Sequence, residues 1–265
     1  MSEPEFLLHP PDLARWRPGN TGTEGVWRFD APAPGPHVAV TALIHGNELC
    51  GAWAVSQLLQ WLHAGGTLRR GRLTLALCNL RAFERFDAAD AHASRFVEED
   101  LNRQWSPERL ASGTSLERRR AAELRPWLEE VDYLLDLHSM HEAGSPLLLT
   151  GMQPRHVDFA RALGMAGTVV IDAGHAEGKR MRDFGAFGSD EGDARSLLVE
   201  CGFHGDLDSR LVAQDAVHRL LELAALVDVA QLPAWRLDRP AAQWALEVTE
   251  AVVAQTTDFR FAFEP

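Results

Sequence analysis

Cysteine is scarce in this chain, and its spacing excludes two kinds of cross-linked site. The three cysteines, Cys50, Cys78 and Cys201, stand far apart in 265 residues. An odd, widely spaced set forms neither a disulfide framework nor a CxxC metal knuckle, and it fits a reducing compartment. The sequence also lacks an apolar run of roughly 18 residues that could span a membrane. Its opening stretch "MSEPEFLLHPPD" has neither the basic nor the apolar region of a signal peptide, so we expect a cytoplasmic protein.

Positive charge is also in short supply. Lysine and arginine number 26 against 38 acidic residues, which gives a formal net charge of −12. Such a chain has no general attraction for nucleic acid or anionic lipid, so we expect neither nucleic acid nor a membrane as a partner. An anionic substrate would need local arginines to overcome this acidic field. The length suffices for one large α/β domain with a sizeable core.

What the sequence does contain is a series of buried-strand patterns that alternate with helical ones. Apolar runs predict strands over residues 38–44 and 73–78, and further strands in "DYLLDLHSM", "PLLLTG", "TVVIDAGH" and "SLLVECG". Helical periodicity begins at Glu48, with Asn47 able to cap it, and stops at Gly65; a later long helix begins after an Asp208/Ser209 N-cap. Strands that are apolar on both faces favour a mixed, largely parallel sheet covered by helices on both sides, a three-layer α/β/α fold.

The pattern changes after residue 233. The stretch "ALEVTEAVVAQTTDFRFAFEP" alternates polar and apolar residues, as the first strands of an antiparallel unit do. Two or three strands cannot bury a core alone. We therefore expect a main domain over residues 1–233 and a short C-terminal β segment over residues 234–265, which is a truncated or rudimentary second domain.

Polar side chains at strand ends are the first functional signal. His45, Asn79, His138 and Glu200 each follow or end an apolar run, and ligands of parallel sheets bind beyond the carboxyl ends of the strands. His45, Glu48 and His138 supply the two imidazoles and one carboxylate that a catalytic zinc ion accepts. The alternative is that Glu48 only stabilises the N-terminus of the next helix and that His138 is a hydrogen-bonded core residue.

The stretch "SRFVEEDLNRQW" groups cationic and amide donors in an acidic protein. The guanidinium groups of Arg95 and Arg103 match a carboxylate in shape, and Asn102 adds an amide donor. The alternative is a solvated surface on which the acidic residues 98–100 pair with these arginines at little net gain.

Glu200 ends the apolar strand of "LLVECGFHGD". A carboxylate there is costly to desolvate unless it has a partner or a task. Beside a metal ion it could take a proton from bound water and pass it to a leaving nitrogen. The residues alone leave open a second role, in which Glu200 only accepts hydrogen bonds from the turn "CGFHG".

Four motifs in this order carry a family resemblance. "HGNE", "RFVEEDLNR", "DLHS" and "VECG" resemble the succinylglutamate desuccinylase/aspartoacylase family, a deacylating branch of the zinc carboxypeptidases, from about residue 38 to about residue 205. The resemblance implies a zinc carboxypeptidase-like α/β/α domain with an eight-stranded mixed sheet and one catalytic zinc ion. It also implies a role for every candidate: His45, Glu48 and His138 as zinc ligands, Glu200 as general base, Arg95 as a carbonyl-polarising group, and Asn102 with Arg103 as holders of the substrate's α-carboxylate.

The implied activity is zinc-dependent hydrolysis of the amide bond of a small N-acyl amino acid or related amine. Two alternatives remain: a zinc carboxypeptidase that acts on peptides, and a non-catalytic relative that binds a carboxylate. Glu200 speaks against the latter, because a binding module has no use for a base beside the metal. Arg182, Arg195 and His204 are candidates for acyl recognition, each with the alternative of a plain loop or turn residue, and homo-oligomer formation is left open.

Overall fold

A mixed eight-stranded sheet forms the centre of the molecule in the computed structural model, which describes residues 5–251 and residue 256. The strands are β1 (Val26–Asp30), β2 (His37–Ala42), β3 (Arg72–Leu77), β4 (Tyr133–Met140), β5 (Leu147–Thr150), β6 (Thr168–Ile171), β7 (Arg195–Phe203) and β8 (Trp244–Glu247). The helices are α1 (Leu49–His63), α2 (Leu80–Phe83), α3 (Pro107–Ser112), α4 (Leu116–Leu128), α5 (Pro154–Leu163) and α6 (Leu207–Leu223).

The strand order is β1-β3-β2-β4-β7-β5-β6-β8. Parallel pairing joins β2 to β3 and β4, β4 to β7, and β6 to β5 and β8. The pairs β1–β3 and β5–β7 are antiparallel. The predicted α/β class with a mixed, largely parallel sheet is therefore confirmed.

Helices cover both faces of this sheet. Along β2, Val38 and Val40 enter a core shared with α1, α5 and α6, whereas Ala39 enters a second core shared with α3 and α4. Successive side chains of a strand point to opposite faces, so a strand covered on both sides needs a side chain that is apolar or hydrogen-bonded at every position. All six residues of β2 are buried accordingly, and the three layers position the carboxyl ends of β2, β4 and β7 at one edge.

Some element boundaries differ from those predicted. Strand β2 ends at Ala42 instead of residue 44, because Leu43 turns the chain with a φ of 56°; a left-handed non-glycine residue costs about 1–2 kcal/mol. The N-cap of α6 is Asp206, whose side chain accepts a hydrogen bond from the backbone nitrogen of Asp208, so the predicted Asp208/Ser209 cap is wrong.

The start of α1 also differs from the sequence prediction. Glu48 occupies the N-cap position and makes no side-chain capping hydrogen bond. The predicted cap by Asn47 is therefore wrong, and its buried amide has no hydrogen-bond partner among residues 5–251 and 256. The Glu48 carboxylate points to two histidines instead of to the helix backbone.

The C-terminal segment joins the main sheet. Strand β8 lies parallel to β6, with Trp244 opposite Thr168. The predicted antiparallel unit is thus wrong for Trp244–Glu247, because the free edge of β6 accepts this strand in parallel register. The rest of that prediction falls on residues 252–255 and 257–265, outside the described residues, and the domain boundary at residue 233 stays a prediction. No helix in the described part of the chain is long and apolar enough to cross a membrane.

Candidate active site

Three structural elements bring a histidine–glutamate–histidine cluster together. His45 follows the turn after β2, Glu48 occupies the N-cap position of α1, and His138 lies in β4. One ligand atom from each residue lies within 4.8 Å of the other two. The Nδ1 atom of His45 is 2.8 Å from Oε1 of Glu48, and the Nδ1 atom of His138 is 2.7 Å from Oε2. At 3%, 2% and 2% exposure, all three side chains are shielded from bulk water.

Two further carboxylates orient the imidazoles. The Nε2 atom of His45 is 3.0 Å from Oδ1 of Asp100, and the Nε2 atom of His138 is 2.8 Å from Oδ2 of Asp136. A carboxylate that accepts the Nε2 proton leaves Nδ1 free to bind a metal. Sequence reasoning assigned neither aspartate this role, although Asp136 stands two residues before His138 and so shares its face of the strand.

The cluster residues suit a bound cation, because their hydrogen bonds to one another are incomplete. Oε2 of Glu48 is buried and, within the described part of the chain, lacks a well-directed hydrogen bond despite the close approach of His138. Two imidazoles and one carboxylate form one of the donor sets of catalytic zinc sites, in which three protein ligands leave a position for water. His45, Glu48 and His138 could therefore hold a zinc ion.

Opposite charges set the protonation of the cluster. Burial alone would lower the pKa of His138, but the carboxylates of Asp136 and Glu48 raise it well above its usual value. Burial is likewise outweighed at His45, whose pKa is raised by Glu48 and Asp100. At Glu48 burial would raise the pKa, but the two imidazolium charges hold it well below its usual range. The cluster thus stabilises positive charge, whether protons or a metal cation.

Glu200 adjoins the cluster from the neighbouring strand. It lies opposite His138 in the β4–β7 register. Burial raises the pKa of Glu200 to about 7, more than the nearby imidazolium charge of His138 lowers it. Its Oε2 atom is buried and has no hydrogen-bond partner in residues 5–251 and 256. A carboxyl group with a free oxygen and a pKa near neutrality can take up and return a proton.

Arg95 connects two of the sequence motifs. Its guanidinium lies 3.1 Å from Oδ2 of Asp100 and 3.5 Å from Oε1 of Glu48. Its carbonyl oxygen accepts a hydrogen bond from the backbone of Gly46 at 3.1 Å. A Cβ atom at Gly46 would lie 2.4 Å from the carbonyl oxygen of Ser94, so only glycine permits this close approach. The approach carries the Arg95 guanidinium to the edge of the cluster.

Asn102 and Arg103 follow Arg95 in the same sequence motif. The Oδ1 atom of Asn102 accepts a hydrogen bond from the backbone of Met181 at 2.9 Å, which leaves its amide nitrogen to donate. The Nε atom of Arg103 is buried without a hydrogen-bond partner in the part of the chain described. Its closest carboxylates, Asp100 and Glu177, are 3.9 and 4.0 Å from the guanidinium. This pair retains donors for an incoming anion.

The site opens into a cavity of about 400 Å³. Its walls include the predicted site residues His45, Glu48, Arg95, Asn102, Arg103, His138 and Glu200. Leu149 and Leu198 add apolar surface. A cavity of this size with a few polar groups suits a small molecule.

Of the acyl-recognition candidates, His204 lines this cavity, and its Nδ1 atom is 2.8 Å from Oγ of Ser139. Sequence reasoning missed Arg180, which also lines the cavity and whose Nη1 atom is 2.7 Å from Oδ2 of Asp172. The basic run "KRMR" was the available signal, but only the local turn determines which arginine faces the cavity.

Arg182 and Arg195 do not line the cavity. Arg182 is 1% exposed and donates a hydrogen bond to the carbonyl oxygen of Asp172 at 3.0 Å. Arg195 begins β7, five residues before Glu200, and its Nη1 atom is 3.1 Å from the hydroxyl of Tyr133. Both therefore hold the fold together instead of facing the site.

Asn79 lies outside the site as well. Its Nδ2 atom donates to Glu117 at 3.1 Å, and it lines a separate cavity of about 660 Å³. Arg120 also lines that cavity and donates to the carbonyl oxygens of Cys78 and Leu77 at 2.6 and 3.2 Å. This larger cavity is built around structural hydrogen bonds, and three of the four predicted strand-end residues meet in the smaller one.

Comparison with solved structures finds the same fold in several bacterial proteins. A protein from Shewanella frigidimarina described as a putative succinylglutamate desuccinylase/aspartoacylase matches with a TM-score of 0.64 and 16% identity, over 84% of this chain and 71% of that protein. A succinylglutamate desuccinylase/aspartoacylase from Rhodobacter sphaeroides matches with a TM-score of 0.57 and 20% identity, over 83% of this chain and 64% of that protein. The ectoine utilization protein EutE (DoeB) of Ruegeria pomeroyi matches with a TM-score of 0.58 and 17% identity, over 84% of this chain and 64% of that protein.

The sequence itself matches a family model. Residues 34–224 match the succinylglutamate desuccinylase/aspartoacylase catalytic domain. This range includes the histidine–glutamate–histidine cluster, Arg95, Asn102, Arg103 and Glu200. Because the match extends over more than half of the chain, the chain belongs to the succinylglutamate desuccinylase/aspartoacylase family of deacylases.

Proposed function

We propose that this protein is a zinc-dependent hydrolase that cleaves the amide bond of a small N-acyl amino acid or related N-acyl amine, with one zinc ion per chain. The proposal rests on the Oε2 atom of Glu200, which is buried beside the His45–Glu48–His138 cluster and has no hydrogen-bond partner among the described residues. A carboxyl group that is buried and unpaired is costly. Its position beside a cation site suits a group that transfers protons in the reaction.

Glu200 acts as the proton carrier of the reaction. Zinc, when bound, would supply a water molecule of lowered pKa and would polarise the scissile carbonyl. The Glu200 carboxylate accepts a proton from the attacking water. It then donates that proton to the leaving nitrogen, so that the amine departs as a neutral group.

The arginines position the substrate and stabilise developing charge. Arg95 lies at the edge of the cluster, where its guanidinium stabilises the negative charge that forms on the carbonyl oxygen. Arg103 and the free amide nitrogen of Asn102 hold the α-carboxylate of the substrate. Together they supply the local positive field that an anionic substrate needs in a chain of net charge −12.

A substrate panel tests the proposal. The zinc-loaded protein is incubated with N-acetyl, N-succinyl and N-formyl amino acids beside dipeptides, and free amine is measured. We expect release from at least one N-acyl amino acid and none from the dipeptides. Release from dipeptides alone would support a carboxypeptidase instead. No release from any compound would support a carboxylate-binding protein.

The substitution Glu200→Gln tests the proton carrier. It keeps the size of the side chain but removes its basicity, so we expect turnover to fall by about 100- to 10,000-fold while zinc content, measured by atomic absorption, stays unchanged. Glu142→Gln is the matched control, because Glu142 is an exposed glutamate of the same cavity wall. Equal turnover of Glu200→Gln and the wild type would refute the proposed mechanism.

A further inference from the structure

Histidines are concentrated around the cavity. Six of the eleven in the chain line it. Two of them belong to the buried cluster, and two others, His92 and His141, are exposed at the rim. The ring centroids of His92 and His141 are 5.9 Å apart and their planes are inclined at 63°.

This rim pair resembles the buried pair in geometry. The rings of His45 and His138 have centroids 5.2 Å apart, also at an inclination of 63°. Two imidazoles bound to one tetrahedral zinc ion at about 2.0–2.1 Å have centroids about 5 Å apart. The rim rings therefore need to approach each other by only about 1 Å to share one ion.

The backbone holds the two rim histidines in place and leaves their rings free to adjust. The carbonyl oxygen of His92 accepts a hydrogen bond from the backbone of Arg95 at 3.0 Å. His141 directly follows β4, whose last residue Met140 accepts a hydrogen bond from the backbone of His204 at 2.9 Å. Exposed rings on a fixed backbone change their side-chain torsions at little cost.

We propose that His92 and His141 form a second metal site at the rim of the cavity, for a divalent ion that accepts imidazole ligands, such as Zn²⁺. Water completes the coordination. The site binds zinc more weakly than the buried cluster, because it offers two solvated imidazoles and lacks the buried carboxylate. An ion there narrows the entrance to the cavity, so excess zinc inhibits substrate entry.

The test is a calorimetric titration of Zn²⁺ into protein that already holds one equivalent. We expect a second, weaker binding event that disappears in both His92→Ala and His141→Ala. His9→Ala is the matched control, since His9 is an exposed histidine outside the cavity, and it should retain the event. The absence of a second event in the wild type would overturn the proposal, as would its persistence in either rim variant.

A second titration separates this site from the proposed catalytic one. In His45→Ala the buried cluster loses a ligand, and we expect the tight event to vanish while the weak event remains. If this variant fails to fold, the wild-type titration still decides whether a second zinc ion binds. Loss of both events in a folded His45→Ala protein would mean that the rim histidines depend on the buried ion, which would overturn an independent rim site.

Discussion

Asp136 determines which nitrogen of His138 faces the proposed metal position. Its Oδ2 atom is 2.8 Å from Nε2 of His138, and its Oδ1 atom accepts a hydrogen bond from Thr41 at 2.6 Å. The carboxylate is fully buried. It therefore has one orientation, and this orientation keeps the Nε2 proton in place and Nδ1 free.

The substitution Asp136→Asn should weaken zinc binding by about 10- to 100-fold. Asparagine keeps the shape but loses the charge that favours the Nε2–H tautomer. Competition with a chromophoric chelator measures the affinity. Asp158→Asn, at an exposed position of α5, is the control and should leave zinc affinity unchanged. A wild-type affinity in Asp136→Asn would show that the Asp136–His138 contact has no effect on the metal.

Single residues could be predicted where a motif or a strand end marked them. Residue type and position were enough to predict the three residues of the cluster. The structure brings one ligand atom from each of His45, Glu48 and His138 within 4.8 Å of the other two. Arg180 could not be predicted, because the direction of a loop side chain depends on the turn that precedes it. Asp100 was assigned only to a surface ion pair, because nothing local indicated its contact with His45, 55 residues away.

At the level of elements, α4 fixes the loop that carries the arginines. The carboxylate of Glu117, in its first turn, accepts hydrogen bonds from the backbone nitrogens of Val97, Glu98 and Glu99 at 2.7, 3.2 and 3.1 Å. Asn79 donates a fourth hydrogen bond to the same carboxylate. Glu117 is 1% exposed, so one buried carboxylate joins the N-cap of α2, helix α4 and the loop.

The substitution Glu117→Gln should destabilise the protein by about 2–3 kcal/mol, because the amide nitrogen that replaces one carboxylate oxygen cannot accept hydrogen bonds from the buried donors that face it. Urea unfolding measures this loss, and faster hydrogen exchange over residues 95–103 locates it. Catalytic efficiency should fall while zinc content is retained. Glu123→Gln on the same helix is the control, since Glu123 makes an exposed ion pair with Arg120. Unchanged exchange over residues 95–103 would contradict the anchoring role.

Elements were predictable wherever their pattern was local. The apolar runs indicated β2, β3, β4 and β7 within a few residues of their ends. The end of β2 was missed because Leu43 adopts a left-handed conformation that its side chain does not favour. Strand β8 was assigned to an antiparallel unit because alternation of polar and apolar residues indicates a strand but not its partner.

At the scale of the whole molecule, the sheet order assembles the site. Strands β2, β4 and β7 are adjacent, although β4 follows β2 by about ninety residues and β7 follows β4 by about sixty. The parallel arrangement sends their carboxyl ends to one edge, which explains why distant motifs meet. Sequence pattern favours a parallel sheet, but strand order depends on contacts between distant segments and was not predicted.

The whole molecule should also lose stability in mild acid. Burial lowers the pKa of His37 and of His156 to about 4, from an ordinary value of 6.5. Between these two pH values the unfolded chain binds protons that the folded chain does not, so stability present above pH 6.5 is lost as the pH falls toward 4. The pKa of Glu200, which burial raises to about 7, acts in the opposite direction over much of this range, so a variant is needed to isolate one residue.

His37→Gln isolates this effect at a residue remote from the cavity. The ring of His37 is 6% exposed and contacts Oγ1 of Thr74 at 2.8 Å and the carbonyl oxygen of Glu130 at 3.0 Å. Removing one titrating group should reduce the slope of unfolding free energy against pH by about 1.4 kcal/mol per pH unit between 4 and 6.5. Urea unfolding at several pH values measures the slope, with His9→Gln as the exposed control. If His37→Gln and the wild type had equal slopes, His37 would have to titrate in the folded protein as it does in the unfolded chain, which its burial between β2 and β3 opposes.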